Sequence, residues 1–173
     1  MPNNDAGNIQ LGPCAVVFDS VDLGYTLGGV EVEVATNTHE TQVDQFGETP
    51  VNEFITGRTC TVKVPLAETT LDNLIAIMPG AVKVIDGTDV TSIKVIVSDS
   101  VGYSLRDNAA KLVLTPKNAV DSSEDFTVPL AMAPGAMSFK YMVDEERVYM
   151  AEFKAYPDAA GVMFVVGDET ATA

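Results

Sequence analysis

The sequence predicts a mainly β protein, an antiparallel β-sandwich or barrel-like fold with one flanking α-helix at about residues 69–78. Short runs rich in Val, Ile, Thr and aromatic residues recur along the chain, separated by turn clusters of Gly, Pro, Asp and Ser. A single stretch carries helical apolar spacing, so no alternation of strand and helix marks a parallel sheet. At 173 residues the chain fits one domain, spanning 13–166, with a core of useful size.

Residues 1–12, with Pro2, Asn3, Asn4, Gly7 and Gly12, read as an extended or mobile arm, and 167–173 as a tail of the same kind. Cys14 to Phe18 is a short apolar run with β-branched valines. Asp19, Ser20, Asp22, Gly24, Gly28 and Gly29 follow it, which spells strand, turn, strand. Val30, Val32 and Val34 alternate with Glu31 and Glu33, so an extended chain places valines on one face and carboxylates on the other, and the strand is expected to be half-buried.

The chain turns polar over 37–52, where Asp44, Gln45, Phe46, Gly47, Glu48, Thr49 and Pro50 follow neither period; a long loop or hairpin extension is expected there. Strand chemistry returns from Phe54 to Val64, with Gly57 as a candidate bulge. Leu71, Leu74, Ile75 and Met78 then follow i, i+3, i+4, i+7. Thr69 or Thr70 can cap this helix, Asp72 suits its N-terminal end, and Pro79 with Gly80 stops it. Further strands are expected at Val82–Ile85, Ser92–Val97, Lys111–Thr115, Phe126–Met132, Phe139–Met142, Val148–Tyr156 and Val162–Val166.

Composition narrows the function. Twenty-five acidic against 10 basic residues give a net charge of −15, and Lys and Arg are scattered singly, which argues against tight phosphate or nucleic-acid binding. The longest apolar stretch, Leu74 to Met78, is far below the ~18 residues of a membrane span. The first ten residues lack the basic and apolar regions of a secretory signal. Cys14 and Cys60 both fall in strand-like runs where a free thiol packs as a small hydrophobe; a disulfide between them is the less expected alternative.

Site chemistry is sparse, and no catalytic, cofactor or metal residues are assigned. His39 is the single histidine and sits beside Glu40 without a second His or a Cys pair, a poor start for a metal site or a Ser-His-Asp arrangement. Gly24, Gly28 and Gly29 are not followed by Gly-Lys-Ser/Thr, so they read as turn glycines. The acidic clusters around Asp121 and around Asp144 lack the spacing of a calcium loop. An enzyme is not expected.

Three phrases carry a resemblance: Asp22-Leu23-Gly24-Tyr25-Thr26-Leu27-Gly28-Gly29-Val30, Asp44-Gln45-Phe46-Gly47-Glu48-Thr49-Pro50-Val51, and Pro65-Leu66-Ala67-Glu68-Thr69-Thr70-Leu71-Asp72-Asn73-Leu74. In order and spacing, this part of the chain resembles the front half of tail tube, or major tail, proteins of long-tailed bacteriophages. The resemblance implies hexameric rings stacked into a conduit for genome ejection, with a continuous inner β-barrel, an architecture shared with type VI secretion tubes. It implies as partners other copies of the chain, a tape measure protein, a tail terminator, baseplate or distal tail proteins, and a sheath protein if the tail contracts. The location implied is the virion tail, assembled in the bacterial cytoplasm, with DNA passing through without tight binding. By that analogy Asp44, Gln45, Phe46, Gly47, Glu48 and Pro50 are candidates for subunit or ring contacts, with Phe46 as apolar anchor. Glu31 and Glu33 are candidates for an acidic lumen wall. The alternatives are a related terminator, baseplate hub or secretion tube component, and an acidic β-sandwich binding module.

Overall fold

The computed structural model describes residues 12–171. The expected N-terminal arm, apart from Gly12, and the last two residues of the expected tail lie outside the described residues. The protein is mainly β. Among the described residues an eight-stranded antiparallel sheet runs in the order β2-β1-β7-β8-β9-β4-β3, with β10 also paired to β8, beside a two-stranded ribbon β5-β6 and one α-helix. The strands are β1 (Cys14–Phe18), β2 (Val21–Asp22), β3 (Glu31–Gln42), β4 (Pro50–Leu66), β5 (Val82–Ile85), β6 (Ile93–Ile96), β7 (Ala110–Pro116), β8 (Phe126–Met132), β9 (Tyr149–Ala155) and β10 (Val165–Val166). The ladders are antiparallel, and the alternating Cys60, Val62 and Val64 give β4 a buried face, whereas Val32 and Val34 of β3 are exposed.

One main sheet curls on itself instead of two sheets packing face to face. After β2 the chain donates from Leu23 N to Val16 O of β1 at 2.9 Å. It then crosses to β4, where Ala67 N reaches Tyr25 O at 2.8 Å and Leu27 N reaches Pro65 O at 3.0 Å. This short segment is thus shared by both flanks of the sheet. Gly24 makes the crossing at φ +79°, and a Cβ there would lie 2.4 Å from the Glu68 carboxyl, whose oxygen accepts from Tyr25 N at 2.9 Å. The concave face holds the core: Val16, Leu23, Val62, Leu66, Leu112, Val128 and Phe153 are fully buried, and the Phe18 ring lies 4.9 Å from that of Phe153.

The helix α1 (Leu71–Ile77) lies within the expected span, and Thr70 caps it by accepting from Asn73 N at 3.1 Å. Its buried face is rotated from the expected stripe: Leu71 is exposed, while Asn73 and Ile77 are buried. Asn73 can be inside because its Nδ2 donates to Leu23 O at 2.9 Å and to Glu68 O at 2.8 Å, which ties the helix to the crossing segment.

Two expected strands differ. Phe139–Met142 forms no ladder and is held by side chains: the Arg147 guanidinium lies over Phe139, Tyr141 and Tyr149, and its Nε and Nη2 donate to Thr69 Oγ1 at 3.0 and 2.7 Å. Val162–Val166 shrinks to Val165–Val166, and the segment beyond is held by Gly167 N to Asp125 O at 2.8 Å and by a Lys111–Glu169 ion pair. Both cysteines are free thiols, Cys14 half-buried on β1 and Cys60 buried on β4, and desolvation pushes both above the usual thiol value.

Candidate functional site

The region expected as a long loop or hairpin extension is a hairpin, most of it strand. β3 runs for 12 residues and β4 for 17, and they pair from Glu31↔Lys63 out to Gln42↔Pro50, so 37–42 and 50–52 belong to a hairpin. Thr, Asn and His at alternate positions hide the period-2 signal there, because neither face of that part is apolar enough to declare itself. Register shifts leave Thr56, beside Gly57, and Val51 without a cross-strand partner, which places a bulge next to the expected glycine.

β9 pairs with β4 only over Thr61–Leu66. Outward from Cys60 the hairpin therefore projects from the sheet as an overhang about 25 Å long at 3.4 Å per residue. Nearly every side chain in it is exposed on both faces. Among the described residues no other strand pairs with the outer edge of β3, or with β4 between Pro50 and Cys60.

Its tip gathers the predicted contact residues. Asp44, Gln45 and Phe46 form a 3-10 turn, with Phe46 N donating to Val43 O at 3.0 Å and Gly47 N to Asp44 O at 3.4 Å. Gly47 takes φ +62° to leave the turn, Glu48 continues it, and Pro50 opens β4, where a missing N–H does no harm. All six are exposed, and the Phe46 ring is 64% accessible at the end of the projection.

Glu31 and Glu33 stand at the other end of the hairpin and on the convex face, away from the core. Lys63 reaches Glu31 Oε2 at 3.3 Å and Glu33 Oε2 at 3.2 Å, and these hydrogen bonds, that to Glu33 first, hold its ammonium above the usual lysine value. Lys63 also pairs across the ladder with Glu152, and Lys154 stands beside it across from Thr61, so this part of the convex face carries two cations among three carboxylates. The sequence reading missed Lys63 because its partners lie about thirty residues away across the hairpin.

The alternate residues of β3 face the core side. Val32 opposes Val62 and Val34 opposes Cys60, yet they are 38% and 43% exposed where half-burial was expected, because β3 ends the sheet. Across the bulge the same face continues with Ile55, 63% exposed, and with Glu40 directly opposite Glu53. Between Val34 and Ile55 the opposed pair Thr36 and Arg58 occupies this face, with Arg58 Nε donating to Thr36 Oγ1 at 3.2 Å, so aliphatic and charged side chains alternate along the overhang. Phe54 on the reverse face opposes His39.

Among the described residues no group of three or more His, Cys, Asp or Glu is placed to hold a metal ion, and no helix is long and apolar enough to cross a membrane. Asp121 and Asp168 are held below the usual carboxylate value by hydroxyl and amide donors from Ser123 and Thr170, as expected of turn-capping carboxylates. Neither a protein-family model nor a curated protein matches the chain.

Proposed function

We propose that the chain is a self-assembling structural subunit, a tail tube protein of a long-tailed bacteriophage whose hexameric rings stack to line a conduit for genome ejection. The observation that carries assembly is the β3–β4 overhang. A two-stranded hairpin exposed on both faces is marginal alone, and this one adds edges that no other strand covers among the described residues and exposed apolar side chains at Val34, Phe46, Phe54 and Ile55. Neighbouring copies that cover these side chains and pair its edges supply what one subunit lacks. Ring number and the viral setting rest on the resemblance of 22–30, 44–51 and 65–74.

In that reading Glu31 and Glu33 lie on the convex face of the sheet that lines the lumen, where like charge keeps DNA from adhering. The tip residues 44–50 reach the neighbouring subunit or ring. Partners are further copies, a tape measure protein, a tail terminator, baseplate or distal tail proteins, and a sheath where the tail contracts. The setting is the virion tail.

Sedimentation velocity tests the assembly step. The whole chain is expected to sediment as rings or larger stacks, and a chain with 43–49 replaced by Asn-Gly to lose the stacks while staying folded. Equal sedimentation of the two would remove the tip from the interface.

A further inference from the structure

We infer that residues 139–142 of one copy of this chain add a strand to the outer edge of β3 in a second copy, with Lys140 opposite Glu33. The inference rests on the assembly reading above and adds the segment that covers the edge of β3.

Phe139, Lys140, Tyr141 and Met142 have the composition of a strand and form no ladder within one subunit. Among the described residues, 136–146 make no backbone hydrogen bond, so this stretch keeps its N–H and C=O groups for another chain. Its shape suits that use. The Phe139 and Tyr141 rings meet edge to face at 5.4 Å and both lie under the Arg147 guanidinium, which puts residues two apart on one side, as in an extended chain. Tyr141 remains 77% accessible beneath that contact. Lys140 falls on the opposite side, exposed and with no ion-pair partner among the described residues.

β3 offers the matching pattern over the same length. It ends the sheet, and its first four residues alternate Glu31 and Glu33 on the convex face with Val32 and Val34 on the core side. The single ammonium of Lys63 serves both of these carboxylates, so the pair retains negative charge for a second cation. With Lys140 opposite Glu33, Phe139 and Tyr141 fall opposite Val32 and Val34 in either strand direction, because both segments alternate at period 2. Apolar side chains then meet on one face and opposite charges on the other. Donor segment and receiving edge are different surfaces, so the contact is head-to-tail and can close into a ring.

A carbodiimide, which joins an ammonium to a carboxylate only where the two are in contact, tests the register in the wild-type protein. Unlabelled subunits and subunits grown on heavy nitrogen are mixed, left to assemble, cross-linked and digested for mass spectrometry. The expected result is a link from Lys140 to Glu31 or Glu33 that joins a light to a heavy peptide, beside the Lys63 link within each chain. In addition, Lys140→Glu should lower the assembled fraction at least about tenfold, and Glu33→Lys in that background should raise it again. Assemblies that give the Lys63 link without a Lys140 link between chains would overturn the strand pairing while leaving self-assembly standing, and so would normal assembly of Lys140→Glu. A wild-type chain that stays monomeric at every concentration would remove both.

Discussion

Phe153 illustrates how strongly single residues hold the curled sheet. It is fully buried and its ring meets Phe18, so Phe153→Ala is expected to cost about 3–5 kcal/mol, read as a lower midpoint in urea unfolding. Asn73 is a different kind of anchor: Asn73→Leu keeps the bulk but leaves Leu23 O and Glu68 O without their donor, and a loss of about 1–3 kcal/mol is expected by the same measurement. That role was illegible in the sequence, because a polar residue inside a helix reads as solvated until the carbonyls it meets are known. Val62 and Val64 of β4, by contrast, were legible as core, since they alternate with Thr61 and Lys63 and land on the concave face.

At the scale of elements, the strands that pack on both neighbours were readable, and the hairpin was only partly so. Cys60, Val62 and Val64 alternate with polar residues and declare a buried face. Thr36 to Gln42 do not, because the pattern that defines a strand comes from burial and their faces are exposed; on the proposed assembly a neighbouring copy covers them. Phe139–Met142 failed in the opposite direction, since aromatic residues suited to a strand serve instead as the seat of Arg147. The turn of the β5–β6 ribbon gives a pH-dependent prediction. Asp86 is held below the usual carboxylate value by the Thr88 and Asp89 amides, and Asp89 by the Thr91 and Ser92 hydroxyls. A depressed carboxylate stabilises the turn above its unfolded value and loses that contribution as pH falls through its folded one. NMR titration is therefore expected to give both midpoints below about 3.9, and a midpoint at or above that value would contradict the hydrogen bonding described.

The whole molecule is a curled β sheet of strongly negative charge with one hairpin held away from its core. A net charge of −15 opposes the stacking of identical subunits, and screening shortens that repulsion to about 10 Å at 0.1 M salt. Assembly is therefore expected to strengthen as salt rises from low to moderate concentration, with light scattering increasing at constant protein; scattering that falls instead would point to contacts dominated by ion pairs. The mainly β, antiparallel class with its flanking helix was legible because strand and helix periodicity are local signals. Of the proposed assembly surface the sequence pointed only to the tip, with Phe46 and Gly47, and not to Val34, exposed because β3 ends the sheet, or Ile55, exposed because β9 stops at Thr61. Electron microscopy of the purified chain in negative stain tests the central claim most directly. The account predicts six-fold rings with an open centre, alone or stacked into hollow tubes, and a field of separate single subunits at concentrations where the chain is folded would contradict it.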